Sequence, residues 1–198
     1  MPRYFLEVCY KGSNYSGFQS QKNTDKTIQS QVEKAFSILQ KEKVAMTGSS
    51  RTDAGVHALQ NFFHFDYVGD INPQFIYKIN AILPGDIVIR NINKVADDAH
   101  CRFDAITREY KYFIYRRKNP FLEDRAFFFP YSLDIDKLQE AAAIVKEYRD
   151  FTSFSKRNTQ VKTFQCTIHQ SEWIIEDECL VYHVKANRFL RGMVRALT

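Results

Sequence analysis

The sequence predicts an α+β protein of two successive halves, residues 1–100 and 101–198, that follow one order, β-α-β-β-α-β, with the second copy left incomplete. Three observations carry this reading. Short runs rich in aromatic and β-branched residues alternate in the manner of half-buried strands. Capped segments with a helical apolar period lie between them. The pattern then restarts near residue 108.

Residues 3–10 read as the first strand, and a polar Gly/Ser loop follows to about Asp25. Thr27 is placed to cap a helix whose apolar stripe is Ile28, Val32, Ala35, Phe36 and Leu39. Residues 44–47 form a short strand, and residues 59–68 a longer one with Phe63, Phe65 and Tyr67 on one face and Phe62 on the other. Asn72-Pro73 opens a second helix that turns Phe75, Ile79 and Ile82 inward, Leu83-Pro84-Gly85 ends it, and residues 87–95 return as a strand. This is the ferredoxin-like arrangement, an antiparallel sheet with both helices on one face and the other face free for a cleft or a partner.

In the second half, residues 108–117 read as a strand in which Tyr110, Tyr112 and Ile114 alternate with Lys111, Phe113 and Tyr115. Residues 138–148 form a helix with Asp134 or Asp136 near its start. Residues 162–175 and 179–186 are strands joined at the acidic turn Glu176-Asp177-Glu178. A last helix opens near Arg188, with Phe189, Met193 and Leu197 four residues apart. It reaches Leu197-Thr198 without a cap or glycine, before the strand that would complete the copy. A longer chain is therefore expected.

Composition bounds the function. Of 198 residues 44% are hydrophobic and 15% aromatic, which suits a packed core rather than disorder. Lys and Arg exceed Asp and Glu by 28 to 23, a net +5 that suits a polyanionic partner without requiring one. Cys9, Cys101, Cys166 and Cys179 lie far apart with no C-x-x-C pair, so free thiols in a reducing, cytoplasmic setting are expected and structural zinc is not. No apolar run approaches the roughly 20 residues of a membrane span. No apolar signal segment stands at the N-terminus.

The most informative stretch is Ser49-Ser50-Arg51-Thr52-Asp53-Ala54-Gly55-Val56-His57-Ala58. It sets one carboxylate between an arginine and a flexible Ala-Gly turn, with Gly48 and Gly55 as residues suited to tight backbone. An aspartate so placed is rigidly held yet reachable, as a nucleophile must be. Arg51 can keep it ionised or meet a phosphate. An Asx-type turn with a surface ion pair is the bland alternative. His57 is read as a hydrogen-bonded structural residue more than as a tuner of Asp53. Residues 12–17 have phosphate-loop spacing but run into Phe18-Gln19 rather than Lys-Ser/Thr, which argues against nucleotide hydrolysis. Asp97-Asp98 and Asp134/Asp136 suit turns and caps better than a metal. Arg116-Arg117-Lys118 and Lys156-Arg157-Asn158 are basic clusters in expected loops and candidates for phosphate contacts.

The 49–58 string closely resembles the signature of the tRNA pseudouridine synthase A family. The resemblance extends to Asn80-Ala81-Ile82-Leu83-Pro84-Gly85-Asp86-Ile87, to His100-Cys101-Arg102-Phe103-Asp104-Ala105 with Arg108-Glu109-Tyr110-Lys111-Tyr112, to Asp150-Phe151-Thr152-Ser153-Phe154, and to Phe189-Leu190-Arg191-Gly192-Met193-Val194-Arg195. Ser50 stands where glycine is common in the family, and Cys101 where alanine is. Neither change removes a reactive group.

By resemblance Asp53 matches the catalytic nucleophile and Tyr110 the tyrosine that stacks on the flipped uracil. Arg51 matches the arginine that helps flip the base, and Arg195 the basic residue that pairs with the aspartate. Structural readings stand beside these: a half-buried strand aromatic for Tyr110, a helix-face charge for Arg195. The resemblance further implies the pseudouridine synthase fold with a cleft between its halves, a homodimer, and isomerisation of uridines 38, 39 and 40 in the anticodon stem-loop of tRNA. The reaction breaks the bond from ribose C1′ to N1 of uracil and rejoins the base through C5, so it calls for no cofactor and no metal. The carboxylate serves either as a nucleophile at the sugar or as its proton acceptor. Two rival readings remain. One is a non-catalytic RNA-binding protein of RRM type, stacking bases on Phe63, Phe65 and Tyr67. The other is a metal-dependent nuclease, which the scattered carboxylates disfavour.

Overall fold

A computed structural model describes residues 1–69, 71–156 and 161–198. It divides into two compact units, Met1–Ala105 and Ile106–Thr198. The first unit contains β1 (Arg3–Tyr10), α1 (Ile28–Gln40), β2 (Thr47–Gly48), β3 (Ala58–Asp66), α2 (Phe75–Ile82) and β4 (Ile87–Val95). Its sheet runs β2-β3-β1-β4 with every neighbour antiparallel, which is the ferredoxin-like arrangement. Alternation puts Leu6, Val8, Phe63, Phe65, Ile87 and Ile89 on one face, where they form a single core with Ile28, Val32 and Phe36 of α1 and Phe75 and Ile79 of α2. Both helices therefore cover the same face. Thr27 caps α1, its hydroxyl accepting from the Ser30 N–H at 3.2 Å.

Phe63, Phe65 and Tyr67 are no stacking platform: they are 0%, 1% and 7% exposed, with Phe63 packed on Phe18 and the other two on Phe36. That removes the feature on which an RRM-type reading rested. The opposite sheet face is not wholly free either. Residues 99–103 run across part of it, where Arg3 bridges Asp66 at 2.7 Å and donates to the Ala99 carbonyl. Cys101 Sγ lies 3.1 Å from His64 Nδ1, and the His100 ring meets the His64 ring edge-on. Burial, then the neighbouring His100 ring and the Arg3 guanidinium, hold the His64 pKa below its ordinary 6.5.

Helix α2 begins two residues later than its proline suggests, because Asn72 and Pro73 form the preceding turn. Asn72 accepts from Gln74 N through its side chain and from Phe75 N through its carbonyl. Ile82, expected inward, is 36% exposed, and Leu83, already extended, takes the buried place.

The second unit contains β5 (Arg108–Tyr115), β6 (Phe127–Phe128), α3 (Ile135–Val145), a 3-10 turn (Thr152–Phe154), β7 (Ile168–Glu176), β8 (Cys179–Ala186) and α4 (Met193–Leu197). The sheet order is β6-β5-β8-β7; β5, β8 and β7 are antiparallel, and β6 joins β5 as a parallel edge. Asp134 caps α3 by accepting from Lys137 N. Strand β7 starts at Ile168 rather than near residue 162, because the chain before it pairs elsewhere: Phe151 N donates to the Phe164 carbonyl and Cys166 N to that of Arg149. Helix α4 starts at Met193 rather than Arg188, since Gly192 has φ 77° and a left-handed residue interrupts a helix. Among the described residues no helix is long and apolar enough to cross a membrane.

Candidate active site

The loop between β2 and β3 carries Arg51 and Asp53, and its backbone is held from two sides. On the sheet side Asn61 of β3, 4% exposed, acts as a hub. Its Oδ1 accepts from Ser49 Oγ at 2.7 Å, from Ser50 Oγ at 3.1 Å and from Phe62 N at 2.9 Å, while its Nδ2 donates to Tyr10 Oη at 3.3 Å. Tyr10 Oη in turn lies 2.9 Å from Thr52 Oγ1. A buried amide linked in this way costs free energy when any partner is lost, so the arrangement selects one loop conformation.

On the other side the β1–α1 connection lies directly against the loop. Phe18 N donates to the Thr52 carbonyl at 3.1 Å. Gly12 N donates to His57 Nδ1 at 2.9 Å, so a neutral His57 carries its proton on Nε2. A Cβ on Gly12 would strike the Val56 carbonyl, and one on Gly17, at φ 110°, would stand 3.0 Å from the Thr52 carbonyl. These two glycines, whose spacing suggests a phosphate loop, serve instead as the close-fitting floor of the Asp53 loop. Gly48 is small for a similar reason: Phe18 occupies the place of its side chain. Gly55, at φ 79°, is the left-handed residue of a turn closed by Val56 N donating to the Asp53 carbonyl at 3.3 Å.

The backbone is thus pinned immediately before Asp53, at Thr52, and immediately after it, while the carboxylate itself is exposed. Arg51 is exposed as well, with half-buried Thr52 turned inward between them. Among the described residues of the first unit, no ion pair joins Arg51 and Asp53. Beside Arg51 a pocket of about 80 Å³ is lined by Phe18, Ser50 and Arg102, among others.

In the second unit Tyr110 lies on β5, half-buried, opposite Val184, with its ring edge-on to Phe189 at 5.1 Å. Arg195 is exposed on α4, two residues beyond fully buried Met193. Arg116, Arg117 and Lys118 are exposed in the segment after β5. Lys156 packs its side chain by Gly192 and donates its N–H to the Arg191 carbonyl; Arg157 and Asn158 lie outside the described residues. Tyr10, Gly12, Gly17, Asn61 and Arg102 escaped the sequence reading as parts of this site. The glycines carried a visible signal, two in a short polar loop, whereas nothing in sequence separates Asn61 from a surface amide.

Comparison with known proteins shows the family. A model of a family described as tRNA pseudouridine synthase matches residues 8–104 and 148–198, which include Arg51, Asp53 and Arg195 but not Tyr110. The chain is 42% identical over 200 residues to tRNA pseudouridine synthase A of Parabacteroides distasonis, spanning all of this chain and 79% of that protein. It is 41% identical over 202 residues to the protein of the same name in Porphyromonas gingivalis, covering 80% of it, and 40% identical over 200 residues to that of Staphylococcus aureus strain MRSA252, covering 75%.

Proposed function

The chain belongs to the tRNA pseudouridine synthase A family and is an isomerase, and from that premise we propose that it converts uridine to pseudouridine at positions 38, 39 and 40 in the anticodon stem-loop of tRNA, with Asp53 as the nucleophile. The observation that carries the assignment is the Asp53 loop itself. Its backbone is fixed on both sides of a carboxylate that stays exposed, so the group meets the substrate already oriented.

The target nucleotide leaves the base stack, at a cost of a few kcal/mol. Asp53 attacks ribose C1′ as the bond to N1 breaks, and the freed uracil keeps that electron pair. The base turns, C5 bonds to C1′, and the carboxylate departs. The proton on C5 leaves, and N1 takes one up, so the sum is an isomerisation with no redox change. Tyr110 stacks on the flipped base, and its hydroxyl takes part in the proton transfer. Arg51 helps the base to flip, and Arg195 supplies positive charge to the anionic reactants. The enzyme acts as a cytoplasmic homodimer without a cofactor.

The test is direct. Full-length protein is incubated with tRNA bearing uridines at 38, 39 and 40, and the RNA is treated with a pseudouridine-specific label. Label at those positions is the expected result. A tRNA that binds yet gains no label would contradict the assignment.

A further inference from the structure

We propose that Arg102, together with Arg51, forms a clip for one backbone phosphate of the RNA beside Asp53. This deepens, and rests on, the reading of the chain as a tRNA pseudouridine synthase. The pocket next to the Asp53 loop is about 80 Å³. Its base is the Phe18 ring, fixed by stacking on Phe63 at 4.5 Å. Among the described residues that line it are two guanidinium groups, Arg51 and Arg102, and no carboxylate. Glu33, just behind Gln29, turns its Oε1 to Gln29 Nε2 and Met46 N, both at 2.9 Å, and so belongs to the wall.

Two of the other polar lining groups are occupied within the protein, and Gln19 and Thr47 complete the polar lining. Ser50 Oγ donates to Asn61; the Gln29 amide holds Glu33 and the Met46 carbonyl while its Oε1 accepts from Ser20 N. The two cations set the sign of the ligand's charge, and the complementary ligand is a small oxyanion, to which an amide and a hydroxyl can also donate. Arg102 is half-buried and steadied: a terminal nitrogen donates to the Gly48 carbonyl at 3.3 Å, and its backbone N–H donates to His100 Nδ1 at 3.2 Å. A guanidinium carries five N–H donors in a planar fork, so holding Gly48 does not prevent it from donating to a phosphate oxygen. Arg51 stands two residues before Asp53, a span of at most about 7 Å. The phosphate held here is thus that of the target nucleotide or of a neighbour, and gripping it anchors the backbone while the base swings out.

A synthetic anticodon stem-loop with single neutral methylphosphonate linkages, placed in turn at each phosphate flanking the target uridine, tests this. Binding is measured for wild type and for Arg102→Gln, each checked for folding by thermal melting. One linkage is expected to weaken wild type about tenfold and Arg102→Gln less than twofold. The log-log salt slope of Arg102→Gln is expected to fall by about 0.7 to 0.9, with Arg102→Lys keeping the wild-type slope. A wild type indifferent to every flanking linkage overturns the clip whatever the variants do, as does an unchanged slope in folded Arg102→Gln. Pseudouridine is assayed in the unmodified stem-loop alongside. Its absence removes the synthase reading, whereas its presence without a coupled linkage removes only the clip.

Discussion

Tyr110 has two separable jobs in the proposed reaction, since stacking needs the ring and proton transfer needs the hydroxyl. Removing the ring forfeits roughly 1–3 kcal/mol of base stacking. Tyr110→Ala should therefore weaken binding of the flipped nucleotide, while Tyr110→Phe should bind well and turn over poorly; single-turnover rates with tRNA titrations separate these effects. Equal, full activity in both variants would make Tyr110 an ordinary strand aromatic. His64 gives a pH signature. Burial lowers its pKa in the folded state, where His100, Arg3 and Arg102 also oppose its charge and Asp66 favours it. The unfolded chain takes up that proton near pH 6.5 and the folded chain only at lower pH, so stability falls as pH drops below about 6.5. Thermal unfolding between pH 7.5 and 5.5 should show this decline, and His64→Asn should flatten it. At this scale the sequence pointed to candidates where chemistry is written in one short string, as at Arg51 and Asp53. It was opaque where the role depends on a distant partner, as with Asn61 between Ser49 and Tyr10, or Arg102 against Gly48.

The loop between β1 and α1 works as a support for the Asp53 loop, and Gly12 is its closest approach. A methyl group there meets the backbone carbonyl of Val56, which cannot move without carrying Asp53 with it. Gly12→Ala should cost about 1–3 kcal/mol of stability and lower turnover at least tenfold, whereas Gly85→Ala, with nothing within 4 Å of its Cβ, serves as the control. The β7–β8 hairpin offers a test of opposite sign. Asp177 and Glu178 both have positive φ, at 47° and 65°, the conformation of a two-residue turn that matches strand twist but strains non-glycine residues. Glu178→Gly should raise the thermal midpoint, by up to about 1 kcal/mol in stability, as read by calorimetry. Elements with clean periodicity, such as α1 and β1, were legible nearly to their ends. Those set by a single backbone angle or by remote pairing were not: Gly192 delays α4, and the pairing of 149–151 with 164–166 delays β7. Strand β6, two residues long, has no period to read and exists only because Ile114 and Tyr115 offer an edge.

The whole molecule reads as two sheet-based units, and the repeat visible in the sequence is realised differently in each. The first completes the β2-β3-β1-β4 sheet; in the second β6 takes the edge beside β5. The net charge of +5 and the exposed run Arg116, Arg117 and Lys118 suit a polyanionic substrate, with many weak contacts supplying affinity and one loop supplying chemistry. That division of labour is the central claim, and Asp53→Asn examines it most directly. In single-turnover reactions of the full chain with tRNA, pseudouridine formation should fall to background while tRNA affinity stays within a few-fold of wild type. Appreciable pseudouridine formed by a verified, contamination-free Asp53→Asn protein would contradict the account.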